Sequence, residues 1–299
     1  MVKRFLSSTT SEILSYSRTE LLESIRLSEG RVIMAEMIAE NSIYRDVSNP
    51  EMAAALGADL LLLNMYDVNN PYVAQISETA AHEELEMINR VKKLAGRPAG
   101  INLEPVAAAA ESRLPQGRQA GPENAEKALK QGADFILLTG NPGSDVGSDN
   151  IIKSIDEIKR RTGDDLIIIA GKMHMAGISE DYTDRQIIAD MIEAGADIIL
   201  LPAPGTIPGI DIKIIQELVE FIHKSGRLAL NAIGTSQESS DSKVIQNLAL
   251  NSKQTGADIH HIGDAGYGGM AVPENIGEYS RAIRGRRHTY RRMGLSIRR

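Results

Sequence analysis

The tripeptide Gly-Ala-Asp occurs four times in this 299-residue chain, and an apolar run follows each copy. The repeats begin at Gly57, Gly132, Gly195 and Gly256, so successive copies lie 75, 63 and 61 residues apart. These spacings are too long for one βα unit and about right for two. Four double units predict eight strands, and therefore a closed (β/α)8 barrel of the α/β class.

Eight apolar runs supply the expected strands. They are predicted at Arg31–Ile38, Leu60–Leu63, Ala99–Leu103, Phe135–Leu138, Leu166–Ala170, Ile198–Leu201, Leu228–Ile233 and Ile259–Ile262. The runs are continuously apolar, which is typical of strands buried on both faces by the barrel interior and by outer helices. The Gly-Ala-Asp copies precede the even strands, so we interpret them as structural, with Gly ending a helix and Asp pairing locally.

Residues 1–30 precede the first strand and are predicted to form a helical lead-in, followed by the barrel over residues 31–299. Thr9/Glu12 and Ser17/Glu20 have the spacing of capping boxes. Between the strands, a helix is predicted at about Glu78–Leu94. A long segment, Ala107–Ala120, precedes another helix that starts near Pro122.

Composition limits the class of protein. The chain is 42% apolar and 24% charged, which is ordinary for a soluble globular protein. It has no cysteine, which excludes disulfides, thiolate metal sites and a Cys nucleophile. No apolar stretch reaches the roughly 20 residues of a membrane span, and no signal-type apolar core follows Met1. We therefore expect a cytoplasmic protein without a membrane partner.

The carboxyl-terminal segment 281–299 carries eight arginines and no acidic residue, although the whole chain has a net charge of −7. A final helix starting near Pro273 would place these cations towards its carboxyl end, where the helix dipole favours them. They are expected to dock on an acidic neighbour or on a second subunit, so a homo-oligomer is expected. The scarcity of interleaved aromatic residues argues against nucleic acid as the partner.

Polar side chains follow the apolar runs, at the end of the barrel where such folds bind substrates. The predicted catalytic residues are Glu36, Glu104, Lys172 and His174. Glu36 and Glu104 could be a general acid–base pair or ligands of a hard cation, completed by His174 or His260. The chain has no dedicated metal motif and no organic cofactor motif, so the cofactor is unknown and a divalent metal remains open.

Lys172 follows an apolar strand, where burial could lower its pKa and make it a Schiff-base nucleophile or a base. It could instead stay charged and hold a phosphate or carboxylate, or pair with Glu36 or Glu104 without chemistry. Strand alternation is expected to turn both Lys172 and His174 towards the barrel mouth. In the doublet His260-His261, the same alternation allows at most one ring to reach the mouth.

Two glycine-rich segments follow the seventh and eighth predicted strands. Phosphate sites in such barrels use these two loops, because backbone N–H groups must approach the phosphate closely. Turn glycines that only allow a positive φ are the alternative interpretation. Three asparagines at other strand ends would bind substrate hydroxyls. The predicted binding residues are Asn64, Asn102, Asn231, Gly234, Thr235, Ser236, Gly263, Asp264, Gly266 and Gly268.

Parts of the chain also resemble known barrels. The segments are Gly57–Pro71, with Asn64-Met65-Tyr66-Asp67 at its centre, Gly100-Ile101-Asn102-Leu103, and Lys172-Met173-His174. Over roughly residues 31–235 these segments resemble photosystem-I-biogenesis-factor type barrel proteins. The layout is also similar to a group of uncharacterised bacterial barrels of the phosphate-binding type. The resemblance implies the barrel fold.

Together these features predict an enzyme that acts on a small phosphorylated metabolite, such as a sugar phosphate. Proton transfer beside a carbonyl would give a lyase or an isomerase, by aldol cleavage, isomerisation or epimerisation. One alternative is a non-catalytic barrel for ligand sensing or assembly that uses the arginine-rich segment to bind a partner. Another is a metal-assisted hydrolase.

Overall fold

Eight parallel strands form one closed barrel, in sequence order around the ring, in the part of the chain that the structure describes. The structure is a computed structural model that describes residues 1–77, 86–106, 114–141, 146–174, 181 and 183–299. The strands are β1 (Val32–Ile38), β2 (Leu60–Asn64), β3 (Ala99–Leu103), β4 (Phe135–Leu138), β5 (Ile167–Gly171), β6 (Ile198–Pro202), β7 (Leu228–Ile233) and β8 (Ile259–Ile262). The predicted (β/α)8 fold is confirmed, because β1 pairs in parallel with both β2 and β8.

Helices surround the barrel and extend to both ends of the chain. They are α1 (Thr10–Ser15), α2 (Arg18–Arg26), α3 (Asn49–Ala55), α4 (Met87–Ala95), α5 (Pro122–Lys130), α6 (Ser148–Thr162), α7 (Arg185–Ala194), α8 (Ile212–Lys224), α9 (Ser242–Gln254) and α10 (Pro273–Gly294). Gly285 interrupts α10 with a φ of 72°. Residues 78–85 of the helix predicted before β3 lie outside the described residues, as do residues 107–113 of the long segment predicted after β3.

Alternate residues of each strand belong to two different apolar clusters. Val32 and Met34 of β1, and Ile167 and Ile169 of β5, belong to the cluster that fills the barrel. The intervening residues pack with the outer helices in the larger cluster. Strands such as β1 and β5 therefore carry apolar residues on both faces, which explains why the sequence shows continuous runs rather than alternation.

The amino-terminal segment closes one end of the barrel. Phe5, Ile13, Leu21 and Ile25 are buried in the inner cluster with the strand residues. Both predicted capping boxes are present: the side chains of Thr9 and Ser17 accept from the backbone N–H groups of Glu12 and Glu20. Because this plug fills the amino-terminal end, the opposite end is left as the mouth.

The four Gly-Ala-Asp repeats make the same local structure. Each glycine has a positive φ, from 86° to 118°. Each aspartate accepts a hydrogen bond of 2.9–3.1 Å from a backbone N–H of the preceding strand. The donors, in order, are the N–H groups of Ile33, Ala99, Ile168 and Ala229. The repeat therefore ends a helix and joins neighbouring strands, so its role is structural, as expected.

The first repeat also anchors the carboxyl-terminal helix. Asp59, which is fully buried, pairs with Arg284 and lies 2.7 Å from Nε of Arg292. Arg97 lies beside them and donates to the carbonyl oxygen of Arg292 at 2.9 Å. Burial lowers the pKa of Arg97 to about 10 and that of Arg292 to about 9. Part of the arginine-rich segment thus docks on an acidic neighbour within its own chain.

Candidate active site

A cluster of polar side chains occupies the inward positions where the strands end. Glu36 pairs in register with Leu62, and Asn102 with Leu137, and both leucines belong to the inner cluster. His261 pairs with Met34 and Ala232 of the same cluster. These three polar side chains are between 0% and 5% exposed. Because an apolar barrel surrounds them, their charges and hydrogen bonds act in a medium that screens them poorly.

Glu36 and His261 face each other from the adjacent strands β1 and β8. Glu36 Oε2 lies 3.1 Å from His261 Nε2, at ion-pair distance but without the alignment of a hydrogen bond. Burial raises the pKa of Glu36, and the charge of Asp264 raises it further, while His261 acts in the opposite direction. Neither ring nitrogen of His261 has a hydrogen-bond partner among the described residues. The carboxyl group and the ring therefore lie side by side in a buried site without a saturated set of hydrogen bonds.

A third titratable group, Glu238, reaches the same cluster from the loop after β7. It lies in a short 3₁₀ turn, Gln237–Ser239, and is 2% exposed. Burial raises its pKa to about 7, and the charges of Glu36 and Asp264 also raise it. The charge of His261 acts in the opposite direction. Glu238 is not among the residues predicted from the sequence, although it stands two residues after Ser236 in a predicted binding loop.

An amide network occupies the β2–β4 side of the mouth. Asn64 Nδ2 donates to Asp264 Oδ2 at 2.8 Å and to Asn141 Oδ1 at 3.1 Å. Asn102 Nδ2 donates to Asn64 Oδ1 at 3.2 Å. The carbonyl oxygen of the Asn102 side chain is buried and has no hydrogen-bond partner among the described residues. This leaves an acceptor for a hydroxyl or amino group of a ligand.

Glu104 has a different environment from Glu36. Its Oε1 accepts from Arg118 at 3.0 Å and from Asn141 Nδ2 at 2.9 Å. Its Oε2 accepts from the backbone N–H of Asn141 at 3.1 Å. Three hydrogen bonds to the charged form, one of them from a guanidinium, hold this carboxylate in place. Arg118 was not selected from the sequence, because only the fold brings its turn next to Glu104.

Of the two predicted phosphate loops, the one after β8 already has hydrogen-bond acceptors for several of its backbone N–H groups. In the loop after β8, the N–H groups of Gly266 and Gly268 donate to Asp264 Oδ1 and to the carbonyl oxygen of Ala265. Gly263 also donates, to the carbonyl oxygen of Ile233 at 2.9 Å. Each loop contains one non-glycine residue with a positive φ: Ser236 after β7, with a φ of 75°, and Ala265 after β8, with a φ of 57°. Backbone outliers of this kind often occur at functional sites.

The remaining loop residues have local packing roles. Thr235 donates to the carbonyl oxygen of Thr206 at 3.0 Å. A side chain at Gly234 would collide with Met173, which packs over it. The glycine at this position is therefore explained by packing, independently of any ligand.

Lys172 and His174 lie just beyond the end of β5, after Gly171, whose φ of 151° interrupts the strand alternation. Met173 joins the inner cluster together with Ile167 and Ile169. Lys172 is 3% exposed. Burial lowers the pKa of His174, and the nearby charge of Lys172 lowers it further. The orientation of both side chains towards the mouth stays a prediction.

Asn231 is not part of the mouth. It pairs in register with Leu201 and His260, on the outer face of the barrel. Its Nδ2 donates to Thr255 Oγ1 at 2.8 Å, which attaches β7 to the end of α9. The predicted role in binding a substrate hydroxyl is therefore wrong, because β7 alternates in the opposite sense.

The histidine doublet is divided between the two faces, as predicted. His260 points outwards, where Nδ1 lies 2.7 Å from Ser252 Oγ and Nε2 lies 3.0 Å from the carbonyl oxygen of Gly30. Burial lowers the pKa of His260 to about 4, so this ring is neutral at pH 7. Only His261 reaches the mouth.

The described residues contain no group of three or more His, Cys, Asp or Glu side chains arranged to hold a metal ion. Glu36, Glu238 and Asp264 influence one another's charge, but they do not converge on a common point in this way. Across the described segments, no helix combines the length and apolar character that a bilayer crossing requires.

Solved structures share the fold. An archaeal fructose-1,6-bisphosphate aldolase, with its catalytic Lys bound to a carbinolamine intermediate, superimposes with a TM-score of 0.53. It is 16% identical and covers 86% of this chain and 96% of its own. The 2,3-dimethylmalate lyase of the PEP mutase/isocitrate lyase superfamily gives a TM-score of 0.51 at 15% identity, over 87% of this chain and 83% of its own.

Thiamine phosphate pyrophosphorylase from Pyrococcus furiosus gives a TM-score of 0.50 at 13% identity, over 86% of this chain and 97% of its own. At these identities the likeness concerns the barrel and not the site. No curated protein matches the sequence. A family model described as a domain of unknown function, DUF7916, matches residues 6–299, and the chain belongs to that family.

Proposed function

We propose that this protein is an enzyme that moves a proton on the carbon next to a carbonyl group of a small phosphorylated metabolite. The reaction class is that of a lyase or an isomerase, at the mouth of the barrel. The observation that carries the proposal is the buried Glu36–His261 pair, 3.1 Å apart on adjacent strands at their carboxyl ends. Perturbed titratable groups in such a position are characteristic of catalytic sites.

Glu36 acts as the base in this proposal. A raised pKa makes its carboxylate a stronger base than an exposed one, because desolvation disfavours its charged form. His261 faces its Oε2 atom and balances its charge during the transfer. Glu104, in contrast, is held by Arg118 and Asn141, so it positions the loop and leaves Glu36 as the preferred base.

The amide network binds the polar part of the substrate. Asn102 offers an unpartnered carbonyl oxygen, and Asn64 and Asp264 can exchange their mutual hydrogen bond for bonds to hydroxyl groups. For the phosphate we favour the loop Gly234–Ser236. The second predicted element, Gly263–Gly268, contributes less, because the N–H groups of Gly266 and Gly268 are occupied and the Asp264 carboxylate repels an anion.

Lys172 takes one of two roles in the proposal. It is a Schiff-base nucleophile, as a catalytic Lys is in the archaeal aldolase of similar fold, or a charged anchor for the substrate. Borohydride reduction in the presence of the substrate separates these roles. A covalent mass adduct on the peptide that contains Lys172 supports the nucleophile, and its absence assigns the anchor.

The non-catalytic alternative uses the arginine-rich segment as a partner surface. Arg284 and Arg292 are buried against Asp59, and Arg291 donates to the carbonyl oxygen of Leu6 at 2.7 Å. Because the chain itself occupies these three arginines, a partner surface would have to use the exposed Arg286, Arg287, Arg298 and Arg299. The buried Glu36–His261 pair has no role in that alternative, so the catalytic proposal is preferred to an assembly barrel.

The test of this function needs no knowledge of the complete reaction. The protein is incubated in D₂O with phosphorylated aldoses, ketoses and 2-oxo acids, and loss of the carbon-bound proton signal is followed by NMR. The expected result is exchange beside the carbonyl of at least one compound. Glu36→Gln should slow this exchange by about 10²-fold or more, because a general base typically contributes that factor.

Glu220→Gln is the matched control, because Glu220 is an exposed residue of α8. It should exchange at the wild-type rate. Exchange at an equal rate in the Glu36→Gln variant would refute Glu36 as the base. Absence of exchange with every compound of the panel would refute the proposed reaction class.

A further inference from the structure

We propose that Glu238 is the general acid of this site, donating a proton to the carbonyl oxygen while the Glu36–His261 pair removes the proton from carbon. The inference rests on the proposed function and adds a second residue, which stands outside the strand ends. Three observations support it: the anchored turn that carries Glu238, the glycine at position 263 that leaves room for its carboxyl group, and the titratable groups that lie beside it.

The turn that carries Glu238 is fixed from three sides. It begins after Ser236, whose φ of 75° reverses the chain towards the mouth. Asn275, at the start of α10, donates through Nδ2 to the carbonyl oxygens of Glu238 and Ser240, both at 2.8 Å. These two hydrogen bonds fix the backbone of the turn. Glu238 is therefore carried by an anchored turn, and it is 2% exposed.

Gly263 leaves room for the Glu238 carboxyl group, because it has no side chain. A Cβ atom at position 263 would lie 2.5 Å from Glu238 Oε1 and 2.7 Å from the carbonyl oxygen of Ile233. A real Cβ does not approach oxygen atoms so closely, so any larger residue would displace the carboxyl group or the strand end. This explains a glycine at the end of β8 that the sequence suggested for phosphate binding.

The Glu238 carboxyl group is buried beside groups that control its proton. Burial is the main cause that raises its pKa to about 7, and the charges of Glu36 and Asp264 also disfavour its charged form. A hydrogen bond from its own backbone N–H and the charge of His261 act in the opposite direction. Its Oε2 atom is buried and has no hydrogen-bond partner among the described residues. A carboxyl group that is partly protonated at neutral pH and has an unused oxygen can donate to a ligand.

The proposed step converts the carbonyl compound into its enol. The base takes the proton from the carbon next to the carbonyl, and the C–H electron pair forms a carbon–carbon double bond. The carbonyl electron pair moves to oxygen, which receives the proton of Glu238. The product is an enol, Glu238 becomes a carboxylate, and the Glu36–His261 pair holds the proton from carbon. Return of the proton to the same carbon restores the substrate and gives hydrogen exchange with solvent. In an isomerisation of a hydroxy carbonyl compound, the Glu36–His261 pair instead delivers its proton to the former carbonyl carbon, and the Glu238 carboxylate takes the proton of the neighbouring hydroxyl group, which becomes the new carbonyl.

The first experiment measures the proton on Glu238 without any substrate. Protein labelled with ¹³C at the glutamate carboxyl carbons is titrated by NMR, and the Glu238 signal is assigned by its absence in Glu238→Gln. The expected midpoint is near pH 7, and Glu36→Gln should lower it, because a like charge is removed. A midpoint near 4.5 would overturn the inference, whatever the substrate.

The second experiment measures hydrogen exchange in D₂O with the responsive carbonyl compound. Glu238→Gln, which keeps the shape but cannot transfer a proton, should lower the rate by about 10²-fold and remove the decline of rate above pH 7. Glu238→Asp, which retains a carboxyl group, should keep that pH dependence at a reduced rate. Glu220→Gln again serves as the control.

The outcomes separate the two proposals. If Glu36→Gln abolishes exchange and Glu238→Gln leaves both rate and pH profile unchanged, the general acid is refuted and the proposed function stands. If neither variant changes the rate, the proposed function fails as well. Thermal melting of each variant establishes that the barrel is folded during the measurement.

Discussion

The buried pairing of Asp59 with two arginines leads to the sharpest stability prediction. Asp59 is fully buried, and the side chains of Arg284 and Arg292 are no more than 1% exposed. Asp59→Asn keeps the shape and an acceptor for the N–H of Ile33, but it removes the only carboxylate that either arginine pairs with among the described residues.

Removing one partner of a buried ion pair typically costs about 3–5 kcal/mol, because an uncompensated charge is left in a poorly solvating interior. Here two guanidinium groups lose their counter-charge and Arg97 lies beside them, so we expect the upper part of that range. The loss should appear as a lower midpoint of guanidinium chloride unfolding at pH 7, followed by circular dichroism.

Asp258→Asn is the matched control from the fourth repeat. Asp258 accepts from the N–H of Ala229 in the same way, but it pairs at 2.8 Å with His223, whose side chain is 40% exposed. Solvent can stabilise His223 after the substitution, or the ring can lose its proton, so the expected cost is about 1 kcal/mol or less. Equal losses in the two variants would refute the reasoning that burial of the partner determines the cost.

Three further predictions follow from single contacts. Burial raises the pKa of Glu238 from 4.5 to about 7, so the stability that this group contributes is present below pH 4.5 and is lost as pH rises through 7. Between pH 5 and pH 8 the wild-type protein should therefore lose up to about 3 kcal/mol of unfolding free energy that the Glu238→Gln variant keeps. Unfolding curves at a series of pH values measure this difference, and equal losses in the wild type and the variant would contradict it. Asn231→Ala should lower the free energy of unfolding by about 1–3 kcal/mol, because it breaks the buried hydrogen bond to Thr255. Hydrogen exchange of the substrate should stay at the wild-type rate, and slower exchange would indicate that Asn231 acts in the active site. Thr9→Ala should cost about 1 kcal/mol in thermal or chemical unfolding, through loss of the capping box of α1, and an unchanged stability would show that the cap is not needed.

The sequence predicted the barrel better than the site, and β5 and β7 illustrate why. Every residue from Ile167 to Ala170 is apolar, since one face meets the barrel interior and the other meets helices. Such a strand carries no signal that distinguishes inside from outside. The two faces of β5, and the outward position of Asn231 on β7, could therefore not be derived from the sequence pattern alone.

Glu238 and Arg118 were missed for a different reason. Both lie in loops after the strands, and their positions depend on contacts made by distant parts of the chain. Asn275 of α10 holds the turn of Glu238, and Glu104 pairs with Arg118 across a bridge between the end of β3 and its loop. No local pattern of residues encodes such a contact.

The repeated Gly-Ala-Asp, the apolar runs and the capping boxes determined the number of strands and their places in the chain, because each depends on residues that are close in the sequence. Tertiary structure alone decided which polar side chains share the mouth. Glu36, Glu238 and His261 come from β1, the loop after β7 and β8, and ring closure between the first and last strands brings them together. The raised pKa values of Glu36 and Glu238 follow from that assembly, because desolvation and like charges act only when the groups are buried side by side.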